Sequence, residues 1–164
     1  LRETKTRKEY KIALEQNITI EWGKTLNLTI ENEKMKGKVK ITKISEDDNL
    51  ITGEVAGTPI ANVKFEIYDD SGKLVDTLIT KTDGIAISKD LVVGKYIVKE
   101  KETGEYYEIN ENDFEVEITK NGEVVGLTIS NKSKTPPPEK PKEETPKIEV
   151  PPIEPIKKLP VTGY

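Results

Sequence analysis

The chain has 164 residues, enough for one domain plus additional segments. Its net charge is −4 with Lys and Glu interspersed, so it lacks the clustered basic face by which proteins hold nucleic acid. It has no cysteine and no histidine, which excludes disulfides, thiolate chemistry, and the commonest general base and metal ligand.

The N-terminal stretch alternates apolar and polar residues in three pieces: Tyr10–Ile12, Ile18–Trp22 and Leu26–Ile30. Period-two alternation predicts half-buried strands, with Gly23-Lys24 at a hairpin turn. The stretch also repeats later in the chain. Leu1-Arg2-Glu3 aligns with Val98-Lys99-Glu100, Tyr10 with Tyr107, and Leu28–Asn32 with Leu127–Asn131. Self-similarity at such a period indicates an array of modules. Residues 1–34 then read as the C-terminal part of one repeat, cut from a longer protein, and 37–132 as a complete one. The strands of the partial repeat are expected to pack less well than their second copies.

Lys38–Ser45 (KVKITKIS) alternates cleanly, and Lys43 shares a face with Val39 and Ile41. If that face is the core, a lysine points inward, which is rare and requires a reason. Glu46–Asn49 is an acidic loop without the Gly and Glu spacing of a calcium loop, so no metal site is expected. Ile60–Asp70 is the next strand, Asp70-Ser71-Gly72 a hairpin turn, and Leu74–Thr80 the return. Thr82-Asp83-Gly84 turns the chain into a short strand, Ile85–Ile87, and Leu91–Gly94 is a loop. Lys95–Lys101 is a strand on which Tyr96, Val98 and Glu100 share one face. Phe114–Thr119 and Val124–Ser130 form a hairpin around Asn121-Gly122. Many short strands, frequent turns and no helical period give an all-β fold, an antiparallel β-sandwich.

Nine of the ten prolines lie from Pro136 onward. Residues 133–158 carry too few apolar groups to offset the entropy of ordering, and read as an extended, disordered, polyproline-like linker.

Lys43, Glu100 and Asn131 all fall on inward positions of strands. One reading is a buried hydrogen-bonded ion pair, which stabilises weakly because desolvation opposes it. The other is chemical. A lysine in an apolar pocket has a lowered pKa and becomes a neutral, nucleophilic amine. A carboxyl group beside it can hold a proton and pass it on. Attack on the Asn131 carboxamide would expel ammonia and leave an amide between Lys43 and Asn131.

Residues 37–132 resemble the B-type repeat of Gram-positive collagen-binding adhesins, also called the SpaA-type or prealbumin-like (inverse immunoglobulin-like) pilin domain. The resemblance rests on GKVKITKIS, GTPIANVKFEIYDDSGK, TDGIAIS, LVVGKYIVKEKETGEYYEI and LTISNK, in that order. Tyr96-x-x-x-Glu100 with Gly104 and Tyr107 is similar to the family's E-box. Two departures stand out: Lys101-Glu102-Thr103 replaces the usual Ala-Pro region, and Ile60–Val63 the usual Leu-x-Gly-Ala. The resemblance implies an intramolecular isopeptide bond between Lys43 and Asn131, assisted by Glu100 as the catalytic group, with no cofactor. In the partial repeat it implies Glu3 and Asn32 as equivalents, with the lysine upstream of Leu1.

Leu159-Pro160-Val161-Thr162-Gly163 matches the LPxTG sorting signal, residues 159–163, placed after the Pro-rich segment. The match implies sortase as a partner, cleavage between Thr162 and Gly163, and covalent attachment of Thr162 to peptidoglycan. The implied protein is a secreted, cell-wall-anchored surface protein, and this piece its load-bearing stalk, with host extracellular matrix engaged by upstream domains. A basal or minor pilin is the alternative, since no Tyr-Pro-Lys-type polymerising motif of a shaft pilin is present. A larger wall-attached enzyme is the third, although nothing here supports turnover. Three Asn-x-Ser/Thr triplets, at Asn17, Asn27 and Asn131, are discounted as glycosylation sites in this setting.

Overall fold

The computed structural model describes residues 1–136. The Pro-rich linker beyond 136 and the sorting signal at 159–163 lie outside the described residues. Eight strands run in chain order: β1 Lys36–Ser45, β2 Lys64–Asp69, β3 Leu74–Ile79, β4 Ile85–Ile87, β5 Leu91–Val92, β6 Gly94–Glu102, β7 Asp113–Ile118 and β8 Val124–Asn131. No helix occurs among the described residues.

The strands form two sheets. In one, β1 is central, with β4 and β5 antiparallel to it and β8 parallel. The other is the antiparallel series β3-β2-β6-β7. The β1–β8 pair is the one parallel ladder of the sandwich, running from Lys38↔Val124 to Ser45↔Asn131. It brings the first and last strands of the module side by side over their whole shared length.

Alternation along β1 decides what lies between the sheets. Val39, Ile41, Lys43 and Ser45 are buried, and the residues between them are not. Phe65 and Ile67 of β2, Tyr96 and Val98 of β6, Val116 and Ile118 of β7 and Ile129 of β8 join them in the core. These are the β-branched and aromatic residues that fill a half-buried pleated surface.

Two boundaries differ from expectation. The strand predicted from Ile60 starts at Lys64, because Asn62 takes a left-handed backbone (φ 59°) and breaks the extended run. Leu91–Val92, expected as loop, is a two-residue strand that pairs with Lys36–Gly37. Two residues are too few to show a period.

The three strands predicted in residues 1–32 do not form. That segment makes a single bridge, Tyr10↔Lys34. Trp22, Leu14 and Ile20 stand out from the surface, Trp22 fully exposed. The alternation is present, but nothing in residues 1–35 forms a second sheet to cover it. What does form is the end of the module. Tyr10 N–H donates to Arg7 O at 3.0 Å, as Tyr107 N–H does to Gly104 O at 3.0 Å. Lys11 N–H donates to Glu33 O at 2.8 Å, as Glu108 N–H does to Lys132 O at 2.8 Å. The Tyr107↔Ser133 bridge repeats Tyr10↔Lys34.

Gly84 fixes the hairpin beside the middle of β1. Its φ is +70°, and Lys43 N–H donates to its carbonyl at 2.8 Å. A Cβ there would lie 2.4 Å from the Lys43 carbonyl oxygen. Gly84→Ala combines left-handed strain with a backbone clash, and is expected to cost about 2–3 kcal/mol. Urea unfolding of the variant against the parent measures it.

Candidate cross-linking site

The pleat of β1 turns Lys43 into the sandwich, where it has no solvent exposure at all. Asn131 is the last residue of β8 and pairs with Ser45, two residues along from Lys43 on β1 (Lys43↔Ile129, Ser45↔Asn131). The two side chains are therefore diagonal neighbours on one face of one sheet. Glu100 approaches from the opposite sheet, on β6, where it pairs with Phe65 of β2. Glu100 and Asn131 are 5% and 2% exposed. All three sequence-derived residues therefore meet in the space between the sheets.

Lys43 Nζ donates to Glu100 Oε2 at 2.8 Å and to Asn131 Oδ1 in a shorter contact. Asn131 Nδ2 donates to Glu100 Oε1 and, at 2.9 Å, to Thr103 Oγ1. The Phe65 ring centroid lies 5.9 Å from Nζ, within cation–π range. No buried side-chain nitrogen or oxygen among the described residues lacks a partner.

Burial lowers the Lys43 pKa below 10.5, and the hydrogen bond and charge of Glu100 oppose that shift without cancelling it. The amine is thus more easily neutralised than a surface lysine, while the carboxylate beside it is placed to take its proton. A shallow groove lined by Glu46, Asn110, Ser130 and Lys132 reaches Asn131 from outside. The acidic loop at Glu46–Asn49 makes no metal-holding cluster, and none is found elsewhere among the described residues. Asp47 and Asp48 instead cap the chain around them: Asp47 accepts from Ser133 N–H at 2.8 Å and Asp48 from Ala56 N–H at 2.8 Å.

Thr103 was not visible as a site residue from the sequence. It lies just past the end of β6, where strand parity no longer says which way a side chain faces. Glu3 and Asn32 of the partial repeat also meet, with Asn32 Nδ2 donating to Glu3 Oε2 at 2.7 Å. No lysine ammonium is paired with them among the described residues.

The chain is similar to several known proteins. The trypsin-resistant surface T6 protein of Streptococcus pyogenes serotype M6 is 33% identical over 81 residues, 49% of this chain and 15% of that one. The Bacillus anthracis TIE protein superposes with a TM-score of 0.68 at 31% identity, over 80% of this chain and 24% of that one. A minor pilin of Streptococcus agalactiae superposes with a TM-score of 0.51 at 27% identity, over 68% of this chain and 51% of that one. The chain thus spans about a seventh to a half of the length of these relatives. Residues 37–133, more than half of the chain and all but the first strand residue of the sandwich, match the SpaA prealbumin-like fold domain, and the chain belongs to that family.

Proposed function

We propose that this protein is the load-bearing stalk of a Gram-positive surface protein, and that its module closes itself with a Lys43–Asn131 isopeptide bond. The observation that carries the reading is the fully buried contact of Lys43 Nζ with both Glu100 and the Asn131 carboxamide. A buried ion pair contributes little net stability, so a reason beyond folding is required for it.

The proposed reaction balances without a cofactor. Lys43 passes one proton to Glu100, giving a neutral amine and a carboxylic acid. The amine lone pair attacks Asn131 Cγ and the carbonyl π electrons move onto Oδ1. Glu100 gives its proton to Nδ2, the Cγ–Nδ2 bond breaks, and ammonia leaves. The new amide nitrogen returns its surplus proton to Glu100, and ammonia carries that proton away as ammonium.

The mechanical use follows from the parallel β1–β8 ladder. Tension entering at Gly37 and leaving at Lys132 loads that ladder in shear. A bond from Lys43 to Asn131 carries the load past the 88-residue loop between them. By the loop-closure argument used for disulfides, it also stabilises the fold by about 4–5 kcal/mol. Unlike a disulfide it withstands reduction.

The rest of the reading extends the domain plan: residues 1–34 as the end of a preceding repeat, 37–132 as the complete module, 133–158 as a wall-spanning linker and 159–163 as the sorting signal. Sortase would cut between Thr162 and Gly163 and join Thr162 to peptidoglycan, on the outside of the cell. Host matrix would be met by other domains. The similarity to a minor pilin favours a second reading, a basal or minor pilus subunit, in which the same bond serves the same purpose.

Intact mass tests the bond. The full chain is expected to weigh less than its sequence by one ammonia. A mass equal to the sequence mass removes the cross-link.

A further inference from the structure

We propose that Thr103 is a positioning residue for this cross-link, holding the nitrogen that leaves; the inference rests on the isopeptide reading above. The chemistry of the neighbours fixes how the Asn131 carboxamide is turned. An ammonium only donates and a carboxylate only accepts, so the amide oxygen faces Lys43 and the amide nitrogen faces Glu100. Nδ2 has two hydrogens. Glu100 Oε1 takes one, and Thr103 Oγ1, at 2.9 Å, takes the other. With Lys43 on the oxygen, the amide plane is held at three points. Without Thr103 one N–H loses its partner, and the plane can rotate about χ2 away from the line of attack. Small misplacements of this kind are costly to a reaction whose advantage is orientation.

The chain places a threonine beside the equivalent amide nitrogen a second time. Asn32 Nδ2 faces Glu3 Oε2 at 2.7 Å and Thr6 Oγ1 at 3.2 Å, with the Lys11 carbonyl, at 2.9 Å, sharing its two hydrogens. Glu3-Thr4-Lys5-Thr6 and Glu100-Lys101-Glu102-Thr103 share only their first and last residues. The two between differ in charge and in size, yet both threonines reach the same amide nitrogen. The partial repeat has no paired lysine and no sandwich around it, so a shared need for core packing does not account for the contact. Thr103 is half-buried and outside any strand, a position that does not by itself require a hydroxyl.

The test follows bond formation in time. The full chain is made in a short pulse of cell-free translation, and intact mass is recorded at intervals. Thr103→Val keeps the shape and removes the hydroxyl. It is expected to lose ammonia about tenfold more slowly, the effect of one lost hydrogen bond to the reacting group. Thr103→Ser is expected to restore the parent rate. In a Lys43→Met background, which cannot link, Thr103→Val is expected to lower the urea midpoint slightly, by the one hydrogen bond it removes, and to leave the chain folded under the conditions of the rate measurement. A Thr103→Val rate equal to the parent overturns the proposal. So does a Thr103→Ser rate as slow as Val, or a Thr103→Val chain that is substantially unfolded under the conditions of the rate measurement. If the parent chain itself never loses ammonia, the isopeptide reading fails, and this one with it.

Discussion

Glu100→Ala is expected to leave the chain at its full sequence mass and to bring the module close to unfolding. Two losses add. Without the proton carrier the bond does not form, which forfeits the roughly 4–5 kcal/mol estimated for closing the loop. Lys43 is also left in the core without its counter-charge, a loss of about 3–5 kcal/mol when one partner of a buried pair is removed. A typical domain has only about 5–15 kcal/mol in total. The second loss has a ceiling, because a stranded amine sheds its proton rather than remain charged. That ceiling gives the variant a pH signature. Burial already lowers the Lys43 pKa below 10.5, and removing Glu100 removes the two influences that raise it. Between the folded pKa and the unfolded one, the unfolded chain binds more protons. Stability therefore rises with pH across that window, which ends at the ordinary lysine value, and the penalty is full below it. Urea unfolding at several pH values between neutrality and 10 measures this, with Lys43→Met/Glu100→Leu as the reference. That double variant has no buried charge. It is expected to be more stable than Glu100→Ala at neutral pH and to lack its rise with pH.

What the sequence could disclose was governed by period. On β1 the alternation ran unbroken, so one lysine on the wrong parity stood out, and the fold places it in the core with no exposure. Glu100 was legible for the same reason on β6. Which strand lies beside which was not legible. Period two names the buried face but not the neighbour, and the parallel β1–β8 ladder comes from the way the chain crosses between the sheets. Residues 1–32 show the converse limit. Their alternation is as regular as that of β1, but a pattern states which face could be buried, not that a second sheet exists to bury it. Thr103 and the buried Asn49 lie outside the named strands, where no period operates. Asn49 accepts from the backbone N–H groups of Ile51 and Thr52 at 3.0 and 3.1 Å, a contact that only the folded loop displays.

The pH dependence of bond formation is expected to be flat in the parent chain and steep without Glu100, and this contrast separates a shared proton from a simple amine attack. The reactive pair, neutral amine with carboxylic acid, contains the same number of protons as the resting ion pair. Shifting a proton from Lys43 to Glu100 exchanges nothing with solvent, so pH does not alter the reactive fraction while the pair keeps that proton. The titration that removes it belongs to the pair as a whole. Because the Lys43 pKa is lowered, the loss begins below 10.5, and the rate then falls as pH rises further. Glu100→Gln preserves the size of the side chain but cannot accept the proton. Its residual reaction must wait for solvent to deprotonate the amine, so its rate is expected to rise about tenfold per pH unit until the amine is neutral. At neutral pH it is expected to be about 10²–10⁴-fold slower than the parent, the usual contribution of a placed acid–base group. Timed intact-mass measurements from pH 5 to 9 on both chains give the two slopes. A parent rate that climbs tenfold per unit alongside the variant would assign Glu100 no part in the proton transfer. It would leave Glu100 as a counter-charge alone.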